Sequence, residues 1–133
     1  MTFTDLVNLC PHPVVVYPQG APDVITLGTI VPVRVIDREP EPARIATAAT
    51  PTTAPDDAGP GEVPLYDVRY WPQHVSGLPD PAVGIGYIVS LPVALGCPAR
   101  TDLLVPYREV RNRTGTVIGC RALSRPITST PAT

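Results

Sequence analysis

Proline is the feature that most restricts this chain. Nineteen of its 133 residues are proline, about three times the ordinary usage of roughly 5%. Each fixes its own φ, removes a backbone donor and pushes the preceding residue out of the helical region. The segments between the prolines are short and rich in valine and isoleucine, as in Val14-Val15-Val16, Ile30 to Ile36 and Ile85 to Val89. β-Branched runs favour pleated backbone. Short strands joined by proline-rich connections predict an all-β fold: a small barrel or sandwich with at most one short helix.

A chain of this length fits one domain and buries roughly two-thirds of its unfolded surface. Aromatics are few, with Trp71, Phe3 and five tyrosines, so Val, Leu, Ile and Ala must build the core. The sequence predicts one β domain over residues 1–123. Thr47 to Gly61, TAATPTTAPDDAGPG, has no apolar periodicity and reads as a mobile loop inserted in it. Residues 124–133, rich in Pro, Ser and Thr, read as a disordered tail.

Taken in order, Asp5 is placed to cap a short turn leading to Leu6 and Val7. Strands are expected at Val14–Tyr17, Asp23–Leu27 and Ile30–Ile36, the last edge-like or bulged because Pro32 cannot donate to a ladder. Ala43–Ala46 reads as a brief strand. Val63–Trp71 alternates, with Leu65, Asp67, Arg69 and Trp71 on one face. Tyr66, Val68 and Tyr70 lie on the other, which is expected to carry the apolar contacts. The one helix candidate is Leu91 to Leu95, with Ser90 as its cap and Pro92 in its first turn. Leu103-Leu104-Val105 should stop at Pro106, ahead of a charged Tyr107–Asn112 segment, a turn at Arg113-Thr114-Gly115 and a last strand at Thr116–Leu123.

Lysine is absent, and arginine carries all the positive side-chain charge. With many Ala, Pro and Gly, this reads as the coding of a GC-rich genome, an actinobacterium or one of its phages or plasmids. The net charge of −2 argues against a nucleic-acid binder, which needs a basic excess for phosphate contacts. The nearest approach to a basic stripe is Arg108, Arg111 and Arg113, followed by Arg121 and Arg125, and Glu109 offsets it. Cys10, Cys97 and Cys120 are an odd number without a disulfide framework. The start, MTFTDLVNLCPHP, does not read as a signal peptide, and no stretch has the length of a membrane span. The expectation is a reduced, cytoplasmic protein.

The stretch Gly84 to Pro106 interleaves apolar core and polar groups most closely, and candidate chemistry centres on it. Cys10 and His12 share a face in an extended segment, and Cys97, Cys120 and His74 could complete a soft tetrahedral site. No Cys-x-x-Cys spacing is present, so the cysteines read as buried structural thiols and no metal is assigned. Ser90 lacks the flanking glycines of a nucleophile elbow, and Cys97 has no sequence-evident base. Gly84-Ile85-Gly86 precedes a strand rather than following one, so no dinucleotide cofactor is assigned. What remains is a set that could line a ligand pocket: His12, Arg44, Ser90, Arg100 and Asp102. The structural alternatives are a helix cap at Ser90, an Arg100–Asp102 ion pair, and an imidazole at His12 that satisfies buried carbonyls.

The motifs Asn8-Leu9-Cys10-Pro11-His12, Gly77-Leu78-Pro79, Tyr87-Ile88-Val89-Ser90, Arg100-Thr101-Asp102 followed by Pro106, and Gly115 to Cys120 resemble a family of small bacterial and phage proteins. That family has an N-L-T-P-H start, Y-I-V-S and R-x-D motifs, and a closing glycine-flanked strand. The chain departs from it at Cys10, where threonine is usual. The resemblance implies a phage- or mobile-element-associated accessory protein, without an activity. The functional expectation is therefore a non-enzymatic binding protein with a protein or small-molecule partner. A nucleotide-like small-molecule binder or small enzyme using the five-residue pocket is the alternative, and a self-assembling subunit a third reading.

Overall fold

The computed structural model describes residues 2–52, 59–61 and 63–128. Eight strands and one helix run in the order β1 (Asp5–Asn8), β2 (Val14–Val16), β3 (Arg34–Ile36), β4 (Arg44–Pro51), β5 (Tyr66–Ser76), β6 (Ile85–Ile88), α1 (Leu91–Gly96), β7 (Leu103–Arg111) and β8 (Val117–Ser124). Six strands form one sheet in the order β1-β6-β7-β8-β2-β3, and β4 pairs with β5 alone. The pairings β1–β6, β6–β7 and β2–β8 are parallel, and β7–β8 and β2–β3 antiparallel. The strand directions therefore leave the two outer strands, β1 and β3, parallel to one another. A parallel bridge from Asn8 to Arg38 joins these edges, and the sheet becomes a nearly closed small barrel of the all-β class expected.

Pairing of β1 with β6 explains the first departure from the sequence reading. Asp5 does not cap a turn. The amides of Thr4 and Asp5 both donate to Gly84 O, at 2.8 and 3.0 Å, and residues 5–8 run as a strand beside β6. Tertiary pairing overrides the local capping preference.

The β6 strand reads as a continuous apolar run because both of its faces are covered. Tyr87 and Val89 point to a cluster with Leu9, Val93, Ala94 and Leu103, beneath α1. Ile88 points the other way, into the barrel, with Cys10, Val14, Ile36 and Cys120. A third cluster of Tyr17, Ala21, Ile25 and Val110 fills the far end. The β2 and β8 strands can pair there because residue 119 is glycine. A Cβ at Gly119 would lie 2.6 Å from both Val15 O and the Tyr17 ring.

Pro106 does not end its strand, and β7 runs through it to Arg111. Asp102 O and Leu104 O accept from Tyr87 and Val89, so even-numbered residues of β7 direct their backbone groups toward β6. Pro106 comes after β6 has given way to α1, and its missing N–H faces no strand. Other strands are shorter than expected: of the 30–36 run only Arg34–Ile36 is strand, with Val33 N donating to Val16 O at 2.8 Å just before it. Asp23–Leu27 is reduced to a bridge between Val24 and Arg111. Ser124 belongs to β8, and Arg125 to Thr128 follow it. The rest of the expected tail, 129–133, lies outside the described residues.

The largest departure is at Thr47 to Gly61. Thr47–Pro51 is not loop but the outer half of β4, paired with β5 from Thr47↔Tyr70 to Pro51↔Tyr66. Thr and Ala carry no apolar period here because both faces of the hairpin are open to solvent. Residues 53–58 of that expected loop lie outside the described residues.

Asn8 is 1% exposed and every hydrogen-bonding group of its side chain is used. Nδ2 donates to His12 O at 2.9 Å and to Ile36 O at 3.0 Å, and Oδ1 accepts from Cys10 N at 2.9 Å. Its own carbonyl accepts from Glu39 N at 2.9 Å. Asn8→Ala would strand two carbonyls and an amide in the interior. It is expected to lower the stability by roughly 2–4 kcal/mol, read as a reduced urea midpoint in equilibrium unfolding.

Candidate functional site

The residues singled out in the sequence fall on separate parts of the surface. Arg100 and Asp102 meet. Nε of Arg100 donates to Oδ1 of Asp102 and Nη2 to Oδ2, both at 2.8 Å, a bidentate pair. Both side chains are largely covered, at 19% and 10% exposure. The guanidinium also lies over the Tyr87 ring, 5.9 Å from its centroid. The hydrogen bond from Arg100 holds the Asp102 carboxyl below its ordinary pKa, against a smaller opposing effect of burial. Arg100 is raised by the same bond. Asp102 O receives Tyr87 N at 2.8 Å, and Arg100 N donates to Cys97 O at 3.0 Å. The pair thus clamps the turn that returns the chain from α1 to β7, and its charge is consumed internally.

Ser90 stands at the N-cap of α1 with extended backbone, and its carbonyl accepts from Ala94 N at 3.1 Å. Its hydroxyl makes no capping bond; Pro92 in the first turn leaves one donor fewer to satisfy. The helix is six residues long and closes at Cys97, whose amide reaches Ala94 O.

His12 is exposed, and its Nδ1 lies 3.0 Å from Pro13 O, an exposed neighbour. The expected role in satisfying buried carbonyls belongs instead to Asn8, which takes the backbone carbonyl of His12 as one of its acceptors. His12 borders a shallow depression with Val15, Pro106 and Gly119. Arg44 borders a different one, beside His74 and Gln73 at the base of the β4–β5 hairpin. Arg100 and Asp102 border a third with Phe3 and Gly84. Arg100 also faces a groove with Leu95, Arg125 and Ile127. Ser90 borders none of these four. The five side chains do not converge on one cavity.

Cys10 and Cys120 lie in one core cluster, apart from Cys97, which packs on the cluster beneath α1. Burial pushes the Cys10 thiol up to about 11 and raises that of Cys120, and both pack inside the barrel. Among the described residues, no group of three or more His, Cys, Asp or Glu side chains comes together. Three arginines of the basic stretch, Arg111, Arg113 and Arg121, are engaged within the chain. Arg111 bonds Glu109 and Gly115 O, and Arg113 bonds Thr26. Arg121 bonds Asp23 and Ala21 O. No helix among the described residues is long and apolar enough to cross a membrane.

What the sequence reading missed is the β4–β5 arm. Ile45 and Val75 at its base pack on the cluster beneath α1, and Ile45 seats against Gly96, which has no Cβ to obstruct it. Beyond that base the register slips, from Ile45↔Val75 to Thr47↔Tyr70. Trp71 to His74 loop out of the pairing, with Pro72 and a left-handed Gln73 at φ 67°. Past the bulge, nothing covers either face among the described residues. Tyr66, Val68 and Tyr70, expected to meet the core, are each 49% exposed, and Leu65 is 61% exposed. Their alternation was visible in the sequence. What it could not convey is that no layer lies against them.

Searches of protein-family models, of curated proteins and of solved structures match this chain to none of them.

Two outcomes test this geometry. The folded Asp102 carboxyl titrates below its unfolded value, so its contribution is complete above the unfolded pKa and is lost as pH falls through the folded one. Arg100→Ala or Asp102→Asn should cost about 1–3 kcal/mol near neutral pH. Either should flatten the loss of stability toward acid, measured by urea unfolding across pH. Second, a maleimide added to the native protein should modify Cys97, the half-buried thiol, first. Cys10 and Cys120 should react only on unfolding, as read by mass shift and peptide mapping.

Proposed function

We propose that this chain is a non-enzymatic binding or accessory protein, of phage or mobile-element origin by the resemblance of its motifs to those of such proteins, whose barrel holds out the β4–β5 arm as its binding element. The observation that carries this reading is the arm itself. A two-stranded ribbon is marginal in water without a covered face, yet this one exposes Tyr66, Val68 and Tyr70 together on one face. Tyrosine and other large amphipathic side chains are the residues that protein interfaces favour. The reading of a small-molecule pocket draws less support, because His12, Arg44 and the Arg100–Asp102 pair border three different depressions and Ser90 borders none of them.

Native mass spectrometry of the protein recovered from the cell that expresses it tests this reading. The expected result is a multi-chain assembly, lost in the double variant Tyr66→Ser, Tyr70→Ser while the unfolding midpoint of the barrel is kept. A single chain carrying a stoichiometric small molecule would overturn it.

A further inference from the structure

The arm has two long edges, and they are not equivalent. Thr52 N donates to Leu65 O at 2.8 Å, which fixes the phase of the β4–β5 ladder. With the constant register from Pro51↔Tyr66 to Thr47↔Tyr70, residues 65, 67 and 69 direct their backbone groups toward β4. Tyr66, Val68 and Tyr70 direct theirs away from it. Among the described residues, no backbone group accepts or donates to those three on that side. On the other edge the outward groups belong to Thr47, Ala49 and Pro51, and Pro51 has no N–H to offer. The β4 edge is blunted by its proline and the β5 edge is open.

We propose that the open edge of β5 is occupied by β5 of a second copy of this chain, antiparallel, about a two-fold axis at Val68. The proposal rests on the reading of the arm as the binding element, and adds its partner and register. In this register Tyr66 exchanges backbone bonds with Tyr70 of the second copy, Val68 with its own symmetry mate, and Tyr70 with Tyr66. Every outward backbone group of the three residues is then paired. Asp67 falls directly opposite Arg69 of the second copy, and Arg69 opposite Asp67. These are non-hydrogen-bonded positions, where facing side chains lie closest.

The neighbouring registers fail on charge. An axis at Asp67 sets two carboxylates face to face. An axis at Arg69 sets two guanidinium groups face to face and brings Pro72, which cannot donate, opposite Tyr66. The alternation Asp67-Val68-Arg69 is thus self-complementary at one register. The two ribbons become a single four-stranded sheet, in which Tyr66 and Tyr70 of the two copies extend one apolar face across the axis.

Sedimentation equilibrium of the purified full chain tests the pairing. The wild type should be a dimer. Val68→Pro removes the central donor on the side away from β4, and should give a monomer whose unfolding midpoint is kept. Asp67→Arg and Arg69→Asp, each alone, place like charges opposite one another twice per dimer and should weaken association about tenfold. The double exchange restores opposite charges across the axis and should recover association to within about threefold of the wild type. A wild type that sediments as a monomer overturns the proposal. So does a dimer that survives Val68→Pro, single reversals without effect, or a double exchange that recovers nothing. If the monomer instead appears in a complex with a different chain in native mass spectrometry, the dimer is refuted and the arm as binding element stands. A monomer alone in both measurements removes both.

Discussion

Asn8 is the point at which the sheet becomes a barrel. The two outer strands, β1 and β3, come from opposite ends of the strand order, and a single parallel bridge joins them. A bridge of one residue is a weak seam, because most backbone groups on either side of it lack a partner strand. The Asn8 side chain supplies what the ladder lacks: two donors and one acceptor, all within 3.0 Å of backbone atoms in the Asn8–Pro13 turn and at the end of β3. Primary amides are the only neutral side chains that offer this combination in a compact plane. The prolines at residues 11 and 13 fix φ on either side of His12 in the bend that brings its carbonyl within reach.

Much else depends on that seam. The barrel interior is filled by Cys10, Val14, Ile36, Ile88 and Cys120, and Cys10 and Val14 flank the turn that Asn8 ties. The outer face of β6 is then free to carry α1, and α1 in turn seats the base of the β4–β5 arm through Gly96 and Ile45. The polar residues that attracted notice in the sequence serve this framework. Arg100 and Asp102 brace the return from α1 to β7, and Arg121 ties the Ala21–Asp23 segment to β8. The paired and largely covered charges of Arg100 and Asp102 fix a geometry more than they add net stability.

The sequence made the fold class legible because proline spacing and β-branched runs act locally. The helix at Leu91–Gly96 and the turn after Asn112 were legible for the same reason. Pairing partners were not. Asp5 looked like a cap because nothing in residues 1–9 announces that Gly84 O waits for its amide. Pro106 looked like a terminator because a proline's compatibility with a strand depends on which neighbour is absent at that point. Arg100 and Asp102 were read correctly as a candidate ion pair, two residues apart in an extended segment. Their distance from His12 and Arg44 depended on the barrel's closure, which no local pattern encodes. The face of Tyr66, Val68 and Tyr70 carried the right period and the wrong inference, since alternation marks two faces without saying that either is covered.

The contrast between barrel and arm is one of edges. The bridge from Asn8 to Arg38 brings the two edges of the six-stranded sheet together and shortens what is left open, as closure does in small β proteins that avoid pairing with whatever they meet. The arm keeps two edges, and the chain treats them differently. Pro51 blunts one. On the other, Pro72 and the left-handed Gln73 end the regular ladder after Tyr70, which confines the accessible groups to Tyr66, Val68 and Tyr70. An edge left open over so short and so bounded an interval offers a partner strand the outward groups of three residues. The flanking Asp67 and Arg69 then reject any antiparallel strand that places a like charge opposite either of them. In the proposed pairing, β5 of a second copy is a segment that meets these conditions and is present wherever this chain is present.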